Sequence, residues 1–180
     1  MKKRGKKAIS KSKNKKGQEI FGLSFGMIFA VILIIFFVII AFIVINQFLC
    51  TRDCAKSGIF FSELNNKVKD AFNSGDITSR YPIDLPSKVL AVCFANLTED
   101  FKGTNKAIGD EIATYDTEDN LFLYAPKKTC CNFISYDIEH LDLAKITATE
   151  NPYCIKLSKG RGALVVDMQN AEHLVSIEKE

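Results

Sequence analysis

Met27–Ile45 reads MIFAVILIIFFVIIAFIVI, nineteen consecutive residues drawn from Met, Ile, Phe, Ala, Val and Leu. The uncharged stretch is wider still, because no acid or base occurs between Glu19 and Arg52. Sixteen of the nineteen are Ile, Leu, Phe or Val. Near the centre of a membrane helix each contributes roughly −0.3 to −0.6 kcal/mol of insertion free energy, so the run reaches about −5 to −10 kcal/mol at most. As a helix, residues 20–45 span about 39 Å at ~1.5 Å per residue, against a hydrocarbon core of ~30 Å. A core helix of a soluble protein would be shorter and would carry a polar face. The sequence therefore predicts a transmembrane helix over residues 20–45.

Upstream lies MKKRGKKAISKSKNKKG, residues 1–17, with nine bases and no acid. A Lys/Arg run of this kind can bind nucleic acid. Beside a spanning helix, the preference of cytoplasmic flanks for positive charge accounts for it with no such partner. Attraction to anionic lipid adds to that preference. The expected arrangement is a basic cytoplasmic leader at 1–17 and an extracytoplasmic domain after the span. The bilayer is then the partner, the cell membrane the location, and no nucleic acid is expected. A secretory signal peptide fits less well. Its apolar region is only about 7–15 residues and ends at a small-residue cleavage site, whereas Asn46-Gln47-Phe48-Leu49-Cys50 follows the span here.

The junction Lys15-Lys16-Gly17-Gln18-Glu19-Ile20-Phe21 resembles the prepilin-type, class III signals of archaeal type IV pilin-like proteins. In that family a basic leader ends in Gly, and a membrane peptidase of the aspartic type cuts just before the hydrophobic helix. The resemblance covers residues 1–45. It implies a cut between Gly17 and Gln18, with that peptidase and like subunits as partners, and a non-catalytic place in a surface structure. The other reading is an uncleaved single-pass anchor of the same orientation, carrying an extracytoplasmic binding or interaction domain.

Downstream, residues 18–180 hold fifteen of the chain's 24 bases against 21 acids, a net of −6. All six cysteines, Cys50, Cys54, Cys93, Cys130, Cys131 and Cys154, follow the span. An even number on one side of a membrane points to disulfides in an oxidising compartment. Cys93, Cys130, Cys131 and Cys154 are the leading candidates. Cys50 and Cys54, four apart, are less suited to pair with each other. Asn96-Leu97-Thr98 is a glycosylation triplet.

Between Ser57 and Phe72 the apolar residues Phe60, Phe61, Leu64, Val68, Ala71 and Phe72 follow one face of a helix. They define a juxtamembrane amphipathic helix at 46–75. The span can run on into it, with a weak point at Gly58, or a turn near Cys54–Gly58 can separate the two. Gly75–Ser87, with Pro82 and Pro86, reads as a connector whose Tyr81 and Ile83 touch the core. Strands are expected at Lys88–Ala95, Leu121–Ala125, Thr129–Ser135, Tyr153–Leu157, Ala163–Met168 and Leu174–Ile177, with a weak helical signal over Lys106–Tyr115. Lys159-Gly160-Arg161-Gly162 supplies a hairpin turn, so the last three strands read as an antiparallel meander. Alternation over His173–Glu178 suggests one wet face. The predicted fold class is α+β: one N-terminal membrane helix, then a small, mostly antiparallel β domain over 76–180.

Catalytic chemistry has little to stand on. Cys130, Cys131 and His140 have no metal-ligand spacing, and structural zinc takes four ligands. No GxSxG, HExxH, P-loop or dinucleotide-binding glycine pattern occurs. The pairs Asp110-Glu111 and Glu118-Asp119 read as solvated loop charge. No catalytic, cofactor or metal site is predicted. The function classes that remain are a processed pilin-like subunit, an unprocessed anchored interaction domain, and an anchored enzyme for which no motif argues.

Overall fold

The computed structural model describes residues 18–126, 135–169 and 173–180. Gly17, Cys130, Cys131 and most of the strand expected over Thr129–Ser135 lie outside them. The chain divides into two compact units, residues 1–46 and 47–180. The architecture is α+β with antiparallel sheets, as the sequence predicts.

The first helix, α1 (Gln18–Ser74), contributes to both units. Its residues 26–46, in the first unit, are exposed throughout. A helix that is apolar all round has no preferred face to bury. Among the described residues, it is the one helix long and apolar enough to cross a membrane.

In the second unit, residues 47–74 form one helix with no break at Cys54–Gly58, which resolves the alternatives left open by the sequence. Phe60, Phe61, Leu64, Val68 and Ala71 are buried on its inner face, and Phe72 packs at the edge of the core. Glu63, Lys67 and Asp70 stay exposed. The helix stops where Gly75 turns left-handed (φ +76°), its N–H donating to the Ala71 carbonyl at 3.0 Å. Glycine takes that conformation without a Cβ penalty.

Two sheets follow. β1 (Ile77–Asp84), β6 (Arg161–Met168) and β7 (Ser176–Lys179) pair in the order β1-β6-β7. β2 (Ala91–Phe94), β3 (Leu121–Tyr124), β4 (Ser135–Tyr136) and β5 (Tyr153–Lys156) pair in the order β4-β3-β2-β5. Two short helices, α2 (Lys106–Ile112) and α3 (Leu143–Ile146), lie in the connections.

Three expectations need correction. The supposed connector is strand β1, all eight residues of which pair with β6. Pro82 is tolerated because β1 is an edge strand, where a residue without an N–H need not complete a ladder. Tyr81 and Ile83 do reach the core, as their positions suggested. The terminal meander is not formed either. β6 and β7 pair, but β5 joins β2 in the other sheet. The turn between β5 and β6 is nonetheless tight: Ser158 and Arg161 exchange backbone hydrogen bonds of 2.9 and 3.0 Å around Lys159 (φ +53°) and Gly160 (φ +80°). Beyond this turn the strands diverge into separate sheets. Finally, Val175, Ser176 and Ile177 are buried in succession, so the strand has no alternating wet face. Val175 bridges Leu141, and the Ser176 hydroxyl donates to the Asp167 carbonyl at 3.4 Å.

The main core joins the helix face of α1 to Ile83, Val92, Phe94, Leu121, Leu123, Ile155, Leu164, Val166 and Ile177. A second, smaller cluster lies on the opposite face of the four-stranded sheet: Ala91, Cys93, Ala95, Ile112, Phe122 and Cys154, flanked by Phe101 and Ile108. β2 is therefore buried on both sides, which is why its sequence, AVCF, does not alternate.

Candidate functional site

The residues singled out by sequence form three sets: the processing junction, the cysteines and the Asn96 loop. Gln18 opens α1, next to the junction with Gly17, which lies outside the described residues. Cys93 and Cys154 face each other across β2 and β5 and are bonded, with their Cα atoms 4.0 Å apart. Both are buried in the smaller cluster, so this cross-link braces the core and offers no accessible thiol. Cys50 and Cys54, on α1, are also disulfide-bonded. All four cysteines among the described residues are thus oxidised.

The third set is the loop after β2, which carries Asn96. Its organiser is Asn151, fully buried, which sequence reasoning missed. The Asn151 Oδ1 accepts from the Asn96 N–H at 3.0 Å. Its Nδ2 donates to the carbonyls of Asn96 (2.9 Å), Glu99 (3.3 Å) and Asp100 (3.3 Å). Its backbone exchanges hydrogen bonds of 2.7 and 3.1 Å with Lys102. One side chain therefore meets one backbone N–H and three carbonyls of the loop, of which the Asn96 carbonyl also accepts from the Glu99 N–H at 3.4 Å. The Asn-Pro dipeptide at 151–152 was the available signal, since such pairs favour turns.

A second loop clamp uses Asn120. Its Nδ2 donates to Asp137 Oδ1 (2.7 Å) and the Ile138 carbonyl (2.9 Å), while its Oδ1 accepts from the Ile138 N–H (3.0 Å). Asp137 is held above the usual carboxylate range by partial burial and by the charges of Asp119 and Glu139.

Glu150 lies in an open cleft of about 490 Å³, lined by residues of both sheets. Its carboxylate accepts from Thr104 Oγ1 (2.7 Å) and Asn105 Nδ2 (3.2 Å), with Lys179 Nζ 3.6 Å away. The Thr104 hydrogen bond, then the Lys179 charge, lowers its pKa. Lys179 Nζ also lies 4.4 Å from the centre of the Tyr153 ring, and the Lys179 N–H donates to Tyr153 Oη at 2.9 Å. Every polar group in this set has a partner, and the Lys179–Tyr153 contacts tie β7 of one sheet to β5 of the other, which is how a brace behaves.

His140 stacks on Phe72, ring centres 3.9 Å apart, rather than facing a cluster of ligands. Among the described residues, no group of three or more His, Cys, Asp or Glu is placed to hold a metal ion. Asp110 is paired with Lys106 at 2.8 Å on the exposed side of α2. No known family model, curated protein or solved structure matches the chain.

Proposed function

We propose that this chain is a membrane-anchored, non-catalytic subunit of a pilin-like surface structure, cut between Gly17 and Gln18. The observation that carries the reading is the exposed apolar stretch of α1, bounded upstream by nine bases and the Gly17-Gln18 junction. The same helix contains the face Phe60, Phe61, Leu64 and Val68 that closes the core of the β domain. An element that serves lipid with one part and a domain core with another suits a subunit whose helix can exchange lipid for neighbouring helices.

Orientation follows from charge and redox chemistry. Nine bases favour the cytoplasmic face, and the oxidised cysteines fit an extracytoplasmic location for residues 47–180. Cutting at Gly17 removes all nine bases. The new amine at Gln18 then has Glu19 as its nearest acid, and the electrostatic tether to the cytoplasmic face is gone.

The test is the intact mass of wild type and Gly17→Leu from a host with a prepilin-type peptidase. A bulky side chain beside the scissile bond should block the cut while insertion and folding proceed. Wild type is expected to begin at Gln18 and the variant at Met1. If both begin at Met1, the processing assignment fails, and the protein is an uncleaved anchor with an external interaction domain.

A further inference from the structure

The loop after β2 carries the one Asn-x-Ser/Thr triplet in the chain, Asn96-Leu97-Thr98. Two features set it apart from a chance match. Its backbone is fixed from inside, because buried Asn151 holds both the N–H and the carbonyl of Asn96. Its side chains turn outward: Asn96 is half-buried, and Leu97, Thr98, Glu99 and Asp100 are exposed.

Within the triplet, Asn96 Oδ1 accepts from the Thr98 N–H at 3.1 Å and from Thr98 Oγ1 at 2.7 Å. A backbone N–H can only donate, so the atom facing it is the carbonyl oxygen. Nδ2 is therefore the atom left pointing away. Among the described residues nothing accepts a hydrogen bond from it. The Thr98 hydroxyl thus engages the carboxamide through its oxygen and leaves the nitrogen uncovered.

We propose that Asn96 Nδ2 is an N-glycosylation acceptor, modified by a membrane transferase that uses a lipid-phosphate-linked oligosaccharide. Nδ2 attacks the anomeric carbon of the sugar and forms a C–N bond. The bond from that carbon to the lipid phosphate oxygen breaks, and the phosphate leaves with its electron pair. Nδ2 gives up one proton to a base of the transferase, and no oxidant or reductant is needed. A glycan here projects a hydrated chain from the β2 end of the domain. It keeps that edge, including the Asn151 clamp beneath it, out of tight contact with any neighbouring subunit.

The proposal rests on the extracytoplasmic placement of residues 47–180, and its test separates the two. The full chain is expressed in a host that glycosylates a co-expressed reporter carrying one such triplet. After reduction, the tryptic peptide 89–102 is weighed, and protease is added to intact cells in parallel. The expected result is a glycan-sized mass increase on that peptide. It should be lost in Asn96→Gln and in Thr98→Val, and retained in Thr98→Ser, which keeps the hydroxyl. An unmodified peptide from a domain that external protease can reach overturns the glycan assignment and leaves the orientation standing. An unmodified peptide from a protected domain overturns both. A mass increase that survives Asn96→Gln also overturns the assignment.

Discussion

Asn151 shows how much one buried side chain can organise. It meets a backbone N–H and three carbonyls of the loop from Asn96 to Asp100. Each buried group left without a partner costs about 1–3 kcal/mol. Asn151→Ala should therefore destabilise the β domain by about 2–3 kcal/mol, allowing water to satisfy the outer groups. The thermal midpoint of the detergent-solubilised full chain should fall by roughly 10 °C; an unchanged midpoint would show that water replaces the side chain at no cost. Glu150 makes a pH-dependent contribution. Its folded-state pKa lies below the ordinary 4.5, chiefly because of the Thr104 hydrogen bond. The unfolded chain thus binds this proton more readily, so the stabilisation is complete above about pH 4.5 and disappears as pH falls through the lower folded value. Glu150→Gln should melt below wild type at pH 6 and converge with it near the acid end. A gap that stays constant with pH would assign the effect to shape, not charge.

At the scale of elements, the helix was the most legible part of the sequence and the first sheet the least. The face of Phe60, Phe61, Leu64 and Val68 repeats at the helical period, and that pattern survives whatever packs on it. β1 was hidden because its polar residues and Pro82 resemble a loop, and only an edge position in a sheet makes Pro82 acceptable. The partition of β5 and β6 into different sheets was illegible for another reason. A tight turn fixes the geometry of two residues, while strand partners are chosen by burial on both faces of β2, a property of the assembled core. Asn120 and Asn151 left no periodic trace, since their roles depend on backbone groups distant in sequence. Leu64, fully buried in the main core, provides the check on the helix. Leu64→Ala should cost about 2–5 kcal/mol, read as a lower denaturant midpoint for the β domain. Ile34→Ala, in the exposed apolar stretch, should leave that transition in place. Equal losses from the two variants would mean that the units unfold together.

For the whole molecule, the prediction is orientation. In the Gly17→Leu variant, which keeps the leader, external protease on intact cells should digest residues 47–180 and spare a tag at residue 1. The opposite pattern would place the basic arm outside and remove the basis for processing at Gly17. A domain in that position meets proteases throughout its working life, and the Cys93–Cys154 bond bears on what they can do. The cysteines are 61 positions apart, so the backbone between them and the disulfide form a closed covalent ring. That ring contains the Asn96 loop, α2, β3 and α3. A single cut at an exposed site within it, such as the loop from Leu97 to Asp100, turns the ring into a branched chain without releasing a fragment. β2 and β5 stay joined as neighbours in their sheet, and their hydrogen bonds can hold the cut ends in register. A nicked domain therefore loses no fragment, and the damage shows as separate pieces only after reduction.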